Sequence, residues 1–293
     1  MSAQTAEAIN IKAPAPGNLG AEILDFDVKN TTADIAAVIR REVYEHKLVV
    51  FRNQQLSRQE YVEFAKKLGT PQIYLQKNYH HPDHPEIFVS SNVPENGKKV
   101  GVSGTGRYWH TDYQFHPEPL PMTMLYPQVL PAGKRETYYV DMERAYAELP
   151  ADLQVYVEGR NAIHEAKWRY KISAEDIDRA IIDILQGIEA QMPPTSHPVV
   201  IVHPVTGKKL LYVSSGFTTG FEGLSYEENK QVLARMFNFT ENEDRVHVHL
   251  WQYGDVLLWD NRSLIHKASD TPKGEMSSSY RIGIYDNIPF YKN

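Results

Sequence analysis

This sequence predicts a mainly β domain with flanking helices, built on a jelly-roll or sandwich core. Three observations lead there. Short apolar, strand-like segments recur through the second half, as VVIVHP, KKLLYVSS, HVHLWQ, DVLLWDN and YRIGIYD. Residues 71–140 are rich in Pro, Gly, Tyr and His around short apolar runs, the pattern of strands joined by long loops. Helical spacing is confined to a few intervals, and no linker, repeat or low-complexity run divides the chain, so one domain is expected over 1–293.

The elements follow in order. Residues 1–16 read as a loose lead-in stiffened by Pro14 and Pro16. Leu19–Val28 alternates apolar and polar residues and reads as a strand. Asn30-Thr31-Thr32 offers N-cap oxygens, and Ile35, Val38, Ile39 and Val43 recur at helical spacing, which predicts an amphipathic helix over 33–46. Lys47–Asn53 has the composition of a buried strand. Ser57 begins a second helix with Tyr61, Phe64 and Leu68 on one face, and Gly69-Thr70-Pro71 ends it. Strands are expected at Glu86–Ser91 and Thr123–Leu130, and helices near Glu143–Glu158 and over Ala174–Glu189.

Composition narrows the chemistry. The 293 residues are 42% hydrophobic, enough to build a core. The net charge of −6 argues against a nucleic-acid partner, since such domains are usually strongly basic. No apolar run reaches signal-peptide or membrane-span length, which predicts a cytoplasmic protein with no membrane partner. The absence of cysteine removes disulfides, thiolate catalysis and cysteine-held metals. Any metal must use nitrogen and oxygen ligands, which 12 histidines and 37 carboxylates can supply.

WHTDYQF carries the strongest local signal. In extended backbone, positions i and i+2 point to one side, so His110 and Asp112 can converge on one ion. DVLLWDNRSLIHKA supplies a third candidate, His266, after a strand and a polar turn. Two histidines and one carboxylate make the facial triad that leaves open positions on iron(II). Arg281, in an apparent strand, and Thr137, between GKRE and YYVD, are suited to hold a carboxylate. Tyr79-His80-His81 and His84 read as surface or pocket residues rather than a second metal site. His247 and His249, alternating on an apolar strand, read as structural. Trp109 and Trp259 read as packing residues near the metal.

With these residues in place, the chain resembles the taurine-dioxygenase-like (TauD/TfdA) iron(II)/2-oxoglutarate oxygenases. The resemblance runs through LGAEI, KLVVFRNQQLSRQEYVEFAKKLG, WHTD, the segment around Thr137, GDVLLWDNRSLIHKA and SYRIGIYD, nearly the whole chain in family order and spacing. It implies a double-stranded β-helix (jelly roll, cupin-like). It implies Fe(II) on His110, Asp112 and His266, with 2-oxoglutarate and O₂ as cosubstrates, and Thr137 touching 2-oxoglutarate. Arg281 stands where the family places a carboxylate- or sulfonate-binding arginine. Many members carry another arginine four residues earlier for the distal carboxylate of 2-oxoglutarate. Ser277 occupies that position here, and Arg135 becomes a candidate for the vacated role.

NYHHPDHPEIFVSSN, WHTDYQFHPEP and LLYVSSGFTTG also resemble the isonitrile-forming branch, which converts N-carboxymethyl-3-amino fatty acids to 3-isocyano acids. That resemblance implies a small-molecule carboxylate substrate held by Lys171 and walled by Tyr74, Tyr79, His80, Tyr113 and Phe115. Ser173, Asp270 and Leu75 depart from the branch, which carries basic residues at the first two positions and a tyrosine at the third. A hydroxylase or desaturase of another amino-acid-like carboxylate shares all the iron and cosubstrate residues. A non-catalytic β-helix that binds small acids and a zinc hydrolase are the alternatives from other classes. Self-association of such folds is common, so a homo-oligomer is left open.

Overall fold

The computed structural model describes residues 9–15, 17–133, 135–172 and 176–292. In chain order its elements are β1 (Asn10–Lys12), β2 (Ala21–Leu24), α1 (Ala33–His46), β3 (Leu48–Phe51), α2 (Arg58–Leu68), β4 (Thr70–Gln72), β5 (Phe88–Ser91), β6 (Met122–Val129) and β7 (Glu136–Asp141). There follow α3 (Met142–Ala147), α4 (Ala151–Val157), β8 (Asn161–His164), α5 (Ile181–Gln191), β9 (Thr195–Pro198), β10 (Val200–Val202), β11 (Lys209–Leu211) and β12 (Thr218–Phe221). The chain closes with α6 (Tyr226–Thr240), β13 (Val246–Leu250), β14 (Val256–Asp260), β15 (Leu264–Ala268) and β16 (Ser278–Tyr285).

A large sheet runs in the order β1-β2-β3-β14-β6-β16-β4, with β5 also paired to β16. Its pairs are antiparallel except β2 with β3. A smaller antiparallel sheet, β13-β7-β15, faces it. The two meet through Leu48, Val50, Leu257 and Trp259 on one side and Tyr139 and Leu264 on the other. This is the expected β core, apolar between its layers. Helices α1 and α2 cover the outer face of the large sheet, where Ile39, Val43, Tyr61 and Phe64 bury against Phe51, Met124 and Leu258.

Local chemistry sets the helix ends. Thr32 accepts from Ile35 N–H at the start of α1. Ser57 and Glu60 form a reciprocal capping box at the start of α2. Gly69 is the C-cap of α2, its N–H donating to the Ala65 carbonyl, and it must be glycine because a Cβ there would sit 2.2 Å from the Tyr285 carbonyl oxygen.

Three expectations are corrected, and one helix is added. The lead-in is not loose throughout, since Asn10–Lys12 pairs with Leu24–Glu22 as β1; residues 1–8 and 16 lie outside the described residues. The helix near Glu143–Glu158 is two helices, because Pro150 restricts the backbone of the residue before it and caps α4. The helix expected over Ala174–Glu189 begins at Ile181, and residues 173–175 lie outside the described residues. Its apolar face is Ile184 and Ile188, while Ile177, Ile181 and Ile182 are exposed. Finally, α6 was not anticipated, although Ser225 and Glu228 spell a capping box before it.

Candidate metal centre and cavity

His110 and His266 meet through the backbone. The His110 N–H donates to the His266 carbonyl at 3.0 Å, and the His266 N–H donates back at 2.7 Å. Directly opposed residues of an antiparallel bridge put their side chains on one face. The two imidazoles accordingly lie with ring centroids 4.2 Å apart. Asp112, two residues on, turns its carboxylate between them. Its oxygens lie 3.7 Å from His110 Nε2 and 4.0 Å from His266 Nε2. One ligand atom from each of the three lies within 4.8 Å of the others, and all three residues are buried.

Neighbours set each ligand's state. His110 Nδ1 lies 2.8 Å from the Tyr108 carbonyl oxygen, so it carries the proton and leaves Nε2 with a free lone pair. Burial pushes both imidazoles below their ordinary pKa, well below for His266, which keeps them neutral and able to ligate. Burial alone would raise the Asp112 carboxyl. The Arg281 guanidinium, the two imidazoles and the Thr123 hydroxyl outweigh it and hold the group at about 2. Thr123 donates to Asp112 Oδ2 at 2.6 Å. Asn261 Nδ2 donates to Thr123 Oγ1 at 2.8 Å, and Trp259 Nε1 donates to Asn261 Oδ1 at 2.8 Å. Trp259 also packs on His266, 4.9 Å between centroids. Sequence reading missed Thr123 and Asn261, although polar residues on and beside a buried strand were a visible signal.

The three ligands open into a cavity of about 130 Å³. Tyr74, Tyr79, Tyr113, Phe115, Arg135, Thr137, Lys171 and Arg281 all line it. His80 is not in the lining; its Nε2 lies 2.7 Å from the Tyr74 carbonyl oxygen, so it braces the segment that carries Tyr74. Tyr108, Ala166, Arg169, Met192 and Phe217, not singled out from sequence, complete much of the wall. Phe115, Ala166 and Phe217 form a small apolar cluster of their own. Gly216 lets this wall close on the metal segment: its N–H donates to the Trp109 carbonyl at 2.9 Å, and a Cβ there would fall 2.4 Å from that oxygen.

The basic groups are distributed around the cavity. Arg281 Nη1 donates to Asp112 Oδ1, and its guanidinium carbon stands 4.1 Å from the Phe88 ring centroid. Arg135 Nη1 donates to Ser279 Oγ at 2.6 Å. The Nε atoms of both arginines are buried without a hydrogen-bond partner among the described residues. Buried donors of this kind suit an anionic ligand. Burial and the nearby Arg107 hold the Arg135 and Lys171 pKa values below their ordinary range. Lys171 Nζ donates to the Ser103 carbonyl at 2.7 Å and to that of Gly104. Thr137 Oγ1 accepts from Trp251 Nε1 at 2.9 Å. His249 sits outside the cavity, buried against Trp251 and 3.4 Å from Asp255.

The residues fit iron(II): two neutral imidazoles and one ionised carboxylate converge, and the orphaned guanidinium donors suit a chelating dicarboxylate. Comparison with known proteins agrees. The family model described as "Taurine catabolism dioxygenase TauD, TfdA family" matches residues 11–281. The alpha-ketoglutarate-dependent 2,4-dichlorophenoxyacetate dioxygenase of Cupriavidus pinatubonensis is 30% identical over 240 residues, covering 78% of this chain and 81% of its own. Pentalenolactone F synthase of Streptomyces avermitilis is 30% identical over 266 residues, covering 86% of each chain. The crystal structure of AAD-2 in complex with Mn(II) and N-oxalylglycine superposes with a TM-score of 0.79 at 19% identity, covering 98% of this chain and 100% of that one. That likeness shows the fold, a mixed β core with flanking helices of the double-stranded β-helix, cupin-like type.

Proposed function

This chain belongs to the TauD/TfdA dioxygenase family, an iron(II)/2-oxoglutarate-dependent group of oxidoreductases, and on that premise we propose that it hydroxylates or desaturates a small, amino-acid-like carboxylate. The observation that carries the reading is the convergence of His110, Asp112 and His266 within 4.8 Å, open to a cavity walled by four basic side chains, Arg135, Arg169, Lys171 and Arg281.

Iron(II) with 2-oxoglutarate and O₂ supplies oxidation of a C–H bond coupled to decarboxylation of the cosubstrate. The protein's residues do the rest. Thr123 and Arg281 hold Asp112 ionised and oriented, and the Tyr108 carbonyl fixes the tautomer of His110. Arg135 takes the distal carboxylate of 2-oxoglutarate: it reaches β16 at Ser279 from the start of β7, two positions from Ser277, where many members carry their own arginine. Thr137 adds a hydroxyl contact. Arg281 and Lys171 remain for the substrate. Phe115, Phe217 and Met192 exclude water from the reacting side.

A second reading is formation of a 3-isocyano acid from an N-carboxymethyl-3-amino acid. It is favoured by Lys171, which together with Arg281 provides a cation for each of two substrate carboxylates. Two turnovers balance it. Each consumes one 2-oxoglutarate and one O₂ and removes two hydrogens, and the N-carboxymethyl carboxylate leaves as CO₂. Mass spectrometry of the iron-loaded protein, given 2-oxoglutarate, O₂ and either N-carboxymethyl-3-aminobutanoate or a panel of amino acids, tests both. Gain of one oxygen or loss of two hydrogens supports the first reading. Loss of CO₂ with an isonitrile infrared band supports the second. No succinate from any of these compounds contradicts both.

A further inference from the structure

Tyr113, the residue after Asp112, has φ 59°, a left-handed backbone that an aromatic residue rarely adopts. Such a conformation persists only where surrounding contacts over-determine it. Here those contacts are on the phenol. Its oxygen accepts from Gln72 Nε2 at 2.5 Å and from the Leu75 N–H at 3.3 Å. The ring is buried, stacked on Phe115 at 5.5 Å and set edge-on to Tyr74 at 5.7 Å.

Gln72 ends β4 and Leu75 lies at the start of the connection to β5, which holds a short 3₁₀ turn at Lys77–Tyr79 and an isolated bridge from His80 to Phe88. This connection puts Tyr74 and Tyr79 into the cavity wall while Ile73 and Leu75 face solvent. It is tied within itself by the His80 bond to the Tyr74 carbonyl, the Gln72 Nε2 bond to the Ile73 carbonyl at 2.6 Å, the Tyr79 and His80 N–H bonds to the Gln76 and Lys77 carbonyls, and the Tyr74–Tyr79 ring contact at 5.0 Å. Tyr74 and Tyr79 tie it to β5 by packing on Phe88. The β5–β16 ladder reaches the ligands from this segment through Phe88 and Arg281, and the Tyr113 phenol joins the segment's first turn directly to the residue after Asp112.

We infer that Tyr113 is a positioning residue that fastens the Tyr74–Tyr79 wall to the turn presenting Asp112, with Gln72 as its partner. The left-handed backbone aims the phenol away from the ligand set and toward β4, so the wall and the carboxylate are held as one unit. The spacing between the metal and a substrate lying against that wall is thereby set. The inference rests on this geometry and is independent of which carboxylate is the substrate.

Amide hydrogen exchange across residues 73–80 of the full-length protein tests it without any substrate. Tyr113→Phe removes the accepting oxygen and Gln72→Leu removes the main donor. Each is expected to speed exchange in this segment by about threefold or more, the size of one lost hydrogen bond. Because the Gln72–Tyr113 bond is common to both, while Gln72 also holds the Ile73 carbonyl and Tyr113 the Leu75 N–H, the double variant exchanges more slowly than the product of the two single effects requires. Gln72→Glu, which can accept the phenol's proton instead but cannot donate to the Ile73 carbonyl, restores part of the protection that Gln72→Leu loses. Unchanged exchange in Tyr113→Phe and Gln72→Leu overturns the inference. So do effects that multiply in the double variant, or a Gln72→Glu protein as mobile as Gln72→Leu.

Discussion

Asp112 shows how one carboxylate is held ready for a metal. Three different kinds of group converge on it: the guanidinium of Arg281, the hydroxyl of Thr123 and the two imidazoles. The motif His-X-Asp was visible because two ligands sit two residues apart. Thr123, Trp259 and Arg281, which support them, come from β6, β14 and β16, more than ten residues away in sequence, and only folding brings them together. The same holds for Arg135, whose bond to Ser279 spans 144 residues. Arg135→Ala is expected to raise the half-saturating concentration of 2-oxoglutarate about tenfold or more, since charge-assisted hydrogen bonds contribute roughly 1.5–3 kcal/mol. Succinate release measured against 2-oxoglutarate concentration checks this. An unchanged concentration dependence assigns the distal carboxylate to another residue.

At the scale of elements, period and caps were legible where one face alone is buried. Helix α1 occupies the span its spacing indicates, and α2 starts at its Ser57 cap. The pattern misled where apolar residues serve a surface. Ile181 and Ile182 fit a helical stripe yet are exposed, because α5 buries only Ile184 and Ile188. Pro150 was a visible breaker inside an interval read as continuous. Helix α6 was hidden because its polar first turn, Tyr226-Glu227-Glu228-Asn229-Lys230, masks the buried Val232, Leu233 and Met236 that follow. Its capping box gives a direct test. Ser225→Ala removes the acceptor of the Glu228 N–H and is expected to cost about 1 kcal/mol of stability in denaturant unfolding. Iron(II) affinity is expected to stay unchanged, since α6 touches none of the ligands. A loss of metal binding would show that α6 bears on the centre.

Over the whole molecule, an acidic protein lines one cavity with four cations and buries several histidines in neutral form. The net charge of −6 therefore says little about the site, where Arg135, Arg169, Lys171 and Arg281 stand against Asp112 alone in the lining. His164 is fully buried, and burial followed by the neighbouring His197 holds its pKa well below 6.5. In the folded state it stays neutral, whereas in the unfolded chain it takes up a proton as pH falls below about 6.5. The unfolded state then binds more protons, so stability is complete above that pH and declines below it. Each such histidine adds a slope of up to about 1.4 kcal/mol per pH unit. Unfolding free energies measured between pH 7 and pH 5 are expected to fall, and the slope to be shallower in His164→Gln. An equal slope in the variant would place the acid sensitivity elsewhere.

The double-stranded β-helix was legible as a mainly β chain without breaks, and its family spacing placed His266 where the β-bridge to His110 later puts it. In the proposed function, His110, Asp112 and His266 hold the iron(II) of a 2-oxoglutarate-consuming oxygenase. Its most direct test is succinate formation from 2-oxoglutarate by iron-loaded protein, compared among wild type, His110→Ala and His266→Ala. O₂- and iron(II)-dependent succinate is expected from the wild type and none above background from either variant. Full turnover by either variant, or activity supported by zinc without O₂, would contradict it.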